Sequence, residues 1–197
     1  MRTALLVAAV LAALAAAAVQ LAQQAGAEDR SPRAPKHHPL RHRVATAKRR
    51  LAVKHVVTRI QRLRRATWHW QAVLGDRRTP ASRTRLRRTS PAYRQWVLGV
   101  WKHRAAAVWI RARRPPHKRQ WLCIHRYEGA WNDPDAPYYG GLQMDLGFQQ
   151  AYGSYLLRTK GTADRWSPLE QMWVAERAHT TRGFYPWPNT ARLCGLI

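Results

Sequence analysis

Residues 120–145, QWLCIHRYEGAWNDPDAPYYGGLQMD, contain the transition on which a reading of the fold turns. Residues 120–127 carry Trp121 and Ile124 at helical spacing, with Leu122 beside them, and predict a helix. Glu128-Gly129 then puts a carboxylate at the helix end, directly before the residue type that breaks helices. The C-terminal pole of a helix disfavours an ionised carboxylate, and the aromatic neighbours Tyr127 and Trp131 are expected to exclude water from it. Both influences favour the protonated form that a general acid requires. Downstream, Trp131-Asn132-Asp133 and Tyr138-Tyr139-Gly140-Gly141-Leu142-Gln143 combine flat aromatic faces, suited to sugar rings, with amide groups suited to hydroxyls. The glycine pair permits a tight turn or a close backbone approach to a ligand.

Working outward toward the C-terminus, Asp145 is placed to cap a helix running through Leu157. Ser167-Pro168-Leu169-Glu170 is a capping box with proline at the first helical position. Met172, Ala175, Glu176 and His179 follow at helical spacing until Gly183 ends the pattern. Glu176 is a rival acid, but a mid-helix position followed by Arg177 points to a structural ion pair or hydrogen bond.

Toward the N-terminus the character of the chain changes. The protein has 35 Lys+Arg against 10 Asp+Glu, a net charge of +25 and a pI near 11.7. That charge is confined. Residues 121–197 hold seven basic and seven acidic residues, whereas residues 30–120 hold 27 Lys+Arg and a single acid, Asp76, for a net of +26. A hydrophobic fraction of 46% with ten Trp excludes wholesale disorder. Within the cationic half, Val53, Val56, Ile60, Leu63, Thr67, Trp70 and Leu74 form one helical stripe, and Gly75 stops it. Residues 76–89 show no stripe and read as a basic linker. Ser90-Pro91 starts a second helix with Val97, Trp101, Ala105 and Val108 on its apolar face. Arg113-Arg114-Pro115-Pro116 ends it. The simplest arrangement of the two is an antiparallel pair, a basic helical hairpin.

At the extreme N-terminus, Arg2 precedes an apolar run over residues 4–19, and Ala25-Gly26-Ala27 has the small-x-small form of a signal-peptidase site. Residues 1–27 are therefore expected to be a signal peptide of a secreted, cell-wall-located protein, with an uncleaved membrane anchor as the alternative; the run is short for a span. Residues 28–43, rich in Pro, Arg and His, read as a flexible basic leader. The domain plan is then signal (1–27), leader (28–43), basic helical pair (44–114), hinge (115–117) and a neutral domain (118–197). In an oxidising compartment the isolated pair Cys123 and Cys194 is expected to form a disulfide, the alternative being two unconnected buried thiols. The bridge closes a loop of about 71 residues, worth on the order of 4 kcal/mol by loop entropy.

Trp121-x-Cys123, Glu128-Gly-Ala-Trp131, Tyr139-Gly-Gly-Leu-Gln143, Ser167-Pro-Leu-Glu170-Gln-Met-Trp-Val-Ala-Glu176-Arg177 and Trp187-Pro188 before Cys194 resemble, in type and order, the transglycosylase-like domain of actinobacterial resuscitation-promoting factors. The likeness covers residues 118–197 and not the cationic half. It implies a mostly α fold, with a small lysozyme-like domain containing short β structure closed by one disulfide, following the basic hairpin. It also implies an enzyme cleaving the β-1,4 bond between N-acetylmuramic acid and N-acetylglucosamine in peptidoglycan strands, with Glu128 as the catalytic acid. Trp131, Asn132, Tyr138, Tyr139, Gly141 and Gln143 would then bind glycan, and Asp133, Asp135 and Asp145 are candidates for a second carboxylate. In the family pattern the first cysteine directly precedes the catalytic glutamate, whereas Cys123 precedes Glu128 by five residues. Those two positions lie one turn apart on the same helical face.

Other chemistries find little support. No third ligand is apparent for His125 or His179, so no metal is expected, nor any cofactor. A Cys–His nucleophile requires a thiolate that a disulfide removes. No nucleic-acid-binding motif is present, and residues 30–120 are matched instead to anionic wall polymers or anionic lipid. A non-catalytic peptidoglycan-binding module and a cationic envelope-binding helical protein are the competing functional readings.

Overall fold

A computed structural model of the protein describes residues 39–197. The expected signal peptide and residues 28–38 of the leader lie outside the described residues. Six α-helices and a two-stranded antiparallel sheet are present among the described residues: α1 (Pro39–Leu74), α2 (Pro91–Ala112), α3 (Lys118–Glu128), β1 (Tyr138–Tyr139), β2 (Met144–Asp145), α4 (Leu146–Lys160), α5 (Pro168–Arg182) and α6 (Pro188–Leu193). None of the helices described is long and apolar enough to cross a membrane. The first is already helical at Pro39, ahead of the expected Val44, so residues 39–43 of the expected flexible leader belong to it. Arg49–Ile197 form one compact unit.

The stripe predicted for α1 is the face that packs. Ile60 and Thr67 are buried, and Val53, Val56, Leu63, Trp70 and Leu74 are partly so. At the start of α2, Ser90 accepts a hydrogen bond from the Tyr93 N–H, with Pro91 beginning the helix. Val97, Trp101 and Val108 are buried on its face.

The pair is not a hairpin. Leu98 and Lys102 of α2 share one groove with residues 54–62 of α1. Farther along, Trp101 meets Trp68 with ring centroids 5.6 Å apart, and Trp109 meets Trp70 at 5.3 Å. Arg111 then holds Asp76, just past the end of α1, through both carboxylate oxygens. Position rises along both helices together, so they run in the same direction.

The segment expected to be a basic linker makes this possible by retracing α1. The Trp68 indole donates to the Thr79 carbonyl, Gln71 bonds both the backbone and the hydroxyl of Thr79, and the Arg78 guanidinium lies 3.9 Å from the centroid of the Trp68 ring. Leu86, on a 3-10 turn at Leu86–Arg88, joins Ile60, Val97, Leu98 and Trp101 in a buried cluster. Extended, fifteen residues reach roughly 50 Å, more than the roughly 20 Å of helix to be retraced. One buried leucine among basic residues leaves no periodic signal, yet burying it contributes about 1.5–3 kcal/mol.

The second cluster gathers Trp121, Ile124, Leu142, Met144, Leu156, Met172, Val174 and Trp187 around Val73 of α1. Leu122, expected on the apolar side of α3, is exposed instead. Asp145 caps α4 through the Phe148 N–H, and the helix runs three residues past Leu157 to Lys160. Both halves of the Ser167–Glu170 capping box form, and α5 ends at Gly183 as expected. Residues 115–117 make a packed corner in place of a hinge: Pro115 is buried, and the His117 N–H donates to Glu176.

The ends of α1 and α2 are tied to the neutral segment by polar contacts. Trp173 donates to the Ala112 carbonyl. Arg177, whose pKa burial lowers, donates to the carbonyls of Val73 and Tyr152. Glu170 accepts from Lys160 at 2.7 and 2.9 Å and lies 2.7 Å from His69 Nε2. Burial pushes the Glu170 carboxyl up, but the bonds from His69, Lys160 and Ser167 outweigh it and hold the group at about 2. A depressed folded-state value stabilises above the unfolded value near 4.5, and that contribution disappears as pH falls toward 2. Denaturation midpoints measured between pH 4.5 and 2 should show the wild type losing on the order of 3 kcal/mol more than Glu170→Gln. Parallel pH profiles would refute the assignment.

Candidate active site

Glu128 is the last residue of α3. Gly129 (φ 152°) turns the chain away, and a side chain there would be strained and would come within 3.2 Å of Asp133 Oδ2 and 3.4 Å of Gln143 Nε2. The glycine therefore lets the Asp133–Gln143 pair lie against the end of the helix that bears the carboxylate. Glu128 is partly buried, and the Thr190 hydroxyl donates to its Oε1 at 2.7 Å.

Thr190 belongs to α6, whose placement relative to α3 is covalent. The Cys123–Cys194 disulfide, spanning 71 positions, joins the middle of α3 to the residue that ends α6. Cys123 pairs with Cys194 while Glu128 meets Thr190, so α3 and α6 run oppositely and are joined at two levels. Thr190 was not singled out from sequence. Its signal is its place one helical turn before a cysteine bridged to Cys123, which only the bridge makes readable.

The Gly-Gly-Leu-Gln stretch is the turn of the β1–β2 hairpin, in which Tyr138 pairs with Asp145 and Tyr139 with Met144. Leu142 is fully buried, and its carbonyl accepts from the Trp187 indole. Gln143 adopts φ 47° and donates through Nε2 to Asp133 Oδ2 and to the Gly140 carbonyl. The Gly140 N–H returns a bond to the Asp133 carbonyl. Gln143, Asp133 and the turn thus form one fixed unit beside Gly129.

The remaining candidates are distributed around it. Trp131 stacks on His125 at 3.9 Å, with 23° between the rings, so one indole face is already covered. His125 Nδ1 lies 3.1 Å from the Gly141 carbonyl. Tyr138 and Asn132 are exposed, whereas Tyr139 is partly buried against the core. Among the carboxylates, Asp145 is occupied as the cap of α4, Asp135 is exposed, and Asp133 alone is drawn to the end of α3.

Two further clusters were not expected. His179, given no partners by its sequence neighbours, lies with His117 and Glu176, their donor atoms all within 4.8 Å of one another. Burial, then neighbouring His117, lower the His179 pKa against an opposing effect of Glu176. The Glu-x-x-His spacing of Glu176 and His179 was readable; His117, 59 residues away from Glu176, was not. Between α1 and α2, a groove of about 680 Å³ is lined by Lys54, Arg59, Arg62 and Lys102 together with apolar Val56 and Leu98.

Comparisons with protein-family models, with curated proteins and with solved structures give no match to this chain.

Gly141 tests how tightly the turn is built. A Cβ at this position would come within 2.6 Å of His125 Nδ1 and 2.9 Å of Trp131. Gly141→Ala should therefore lower stability by about 1–3 kcal/mol, measured by chemical denaturation, as an overpacked site does. An unchanged midpoint would show that the His125–Trp131 stack is not in place.

Proposed function

We propose that the protein is a peptidoglycan-cleaving enzyme of the cell wall, acting on the β-1,4 bond between N-acetylmuramic acid and N-acetylglucosamine with Glu128 as general acid. The observation that carries this reading is the setting of Glu128. Its carboxyl group ends a helix fixed by a disulfide, is oriented through one oxygen by Thr190, and stands beside the Asp133–Gln143 turn. A general acid must be held at a defined distance from the oxygen it protonates, and a carboxyl with one oxygen anchored presents the other in a fixed direction.

In this mechanism Glu128 donates a proton to the leaving oxygen while oxocarbenium character develops at the sugar carbon. The exposed Tyr138 ring stacks on a sugar ring, and Asn132 and the amide oxygen of Gln143 address its polar substituents. Asp133, the candidate drawn to the end of α3, serves as the second carboxylate, with the acetamido group of the substrate as the alternative internal partner. Attack by water yields a reducing end; attack by the sugar's own 6-hydroxyl yields a 1,6-anhydro product.

The cationic groove between α1 and α2 retains the enzyme on anionic wall polymer. Lys54, Arg59, Arg62 and Lys102 converge on it from two helices, and such attraction is screened by salt. Charge reversal at Lys54 and Arg59 should weaken sedimentation with purified walls at low ionic strength while leaving cleavage of soluble glycan fragments unchanged. Equal loss at low and high salt would contradict an electrostatic role.

Mass spectrometry of fragments released from purified sacculi by the full chain tests the central assignment and identifies the product. Glu128→Gln should lower the rate by roughly 10²–10⁴, and Thr190→Val by about 5-fold, the worth of one oriented hydrogen bond. Sacculus binding without any release would make the protein a glycan-binding module instead.

A further inference from the structure

We propose that His117, Glu176 and His179 form a three-ligand site for a divalent transition-metal ion of the zinc class, which clamps the α2–α3 corner onto α5. Glu176 and His179 are three residues apart on α5 and project from one face of it. His117 comes from the corner preceding α3, and its ring centroid lies 4.0 Å from that of His179. Two imidazoles and one carboxylate are a donor set that zinc takes in three-ligand sites with one position left for water.

The surroundings orient these ligands. Glu176 is buried, and its Oε1 accepts both the His117 N–H at 2.7 Å and the Trp121 indole N–H at 2.8 Å. Those two bonds fix the carboxylate and leave Oε2 directed at His117 Nδ1, 2.9 Å away. Bonds of this kind from a second layer of groups are what hold metal ligands in position. The three donors span up to 4.8 Å, against roughly 3.4 Å for a closed tetrahedral set with bonds near 2.0–2.1 Å. His117 Nδ1 and Glu176 Oε2 are already 2.9 Å apart, so the adjustment on binding falls to the position of the His179 ring. His117 and His179 are only partly buried, which leaves a route for the ion.

Binding replaces the hydrogen bond between His117 Nδ1 and Glu176 Oε2 with bonds to the ion: a neutral His117 ring moves its hydrogen to Nε2 with no net proton release, and a protonated ring releases one proton to solvent. No covalent or redox change is involved. The site does not include Glu128, and its effect is on the rigidity of the helix that carries Glu128.

The test is titration of the full-length chain with Zn²⁺ by calorimetry, and with Co²⁺ by visible absorption. The chain has nine histidines, so the comparison is between variants. Wild type and His103→Ala, which removes an exposed histidine of α2, should both show one tight equivalent per chain and the intense visible bands of low-coordinate cobalt. His179→Ala and His117→Ala should each lose that equivalent, with at least about 100-fold weaker binding, while circular dichroism confirms that they remain folded. Zinc should raise the melting temperature of the wild type and not that of either variant. Identical titrations for wild type and both histidine variants, or no tight equivalent in the wild type, would overturn the proposal. Neither readout depends on glycan cleavage, so this result stands apart from that of the sacculus experiment.

Discussion

Helix α3 is short, only eleven residues, and a helix of that length is marginal without tertiary support. Its position depends on what grips it. The buried carboxylate of Glu176 holds the beginning, through the backbone of His117 and the indole of Trp121. The disulfide to Cys194 holds the middle, and the Thr190–Glu128 bond holds the end. Trp121 and Ile124, both fully buried, fill the interval between these points. The hairpin then takes its position from α3, through the His125–Gly141 contact and the room that Gly129 leaves for Asp133 and Gln143. Every residue placed in the candidate site therefore inherits its geometry from this one helix.

What was readable in the sequence follows the range of the interactions. Ser90, Asp145 and Ser167 act within three residues of themselves, and each capped the helix its position announced. Periodicity likewise identified the packing faces of α1 and α2, because a face is a property of one helix. The direction of α2 relative to α1 was not of that kind. It depends on Leu86, Arg78 and Thr79 finding partners on α1, and a single apolar residue in a basic segment has no period to detect. Thr190 and His117 were overlooked for the same reason: their partners lie 62 and 59 residues away. The cysteines were the exception among distant pairs, since two cysteines alone in a chain have few alternatives to one another.

The charge partition along the sequence requires the same correction. Residues 121–197 carry equal numbers of acids and bases, which reads as an electrically self-sufficient domain. The two most deeply buried acids there take partners from outside that range. Glu170 is bonded by His69 of α1 as well as by Lys160, and Glu176 by His117. Arg177 reaches the other way, to the carbonyl of Val73 near the end of α1. Buried charges are costly unless paired and hydrogen-bonded, so these contacts make the helical pair part of the neutral segment's interior, where Val73 also packs.

That arrangement bears on why a cationic element would accompany the glycan-directed site proposed here. A tether would leave the two free to reorient, and attraction to a polyanion would then raise only the local concentration of enzyme. Here α1 and α2 end against α5, and α3 starts from the corner that follows them. The groove between α1 and α2 and the end of α3 therefore keep a fixed mutual orientation within one compact unit. Under the proposed function, a wall polymer held by Lys54, Arg59, Arg62 and Lys102 would act on the orientation of the glycan strand at Glu128 as well as on its concentration. Orientation enters catalysis through the entropy of bringing groups together, a larger reservoir than surface charge alone provides. On that argument the parallel packing of the two helices, and the return segment that permits it, belong to the proposed function as much as the carboxylate does.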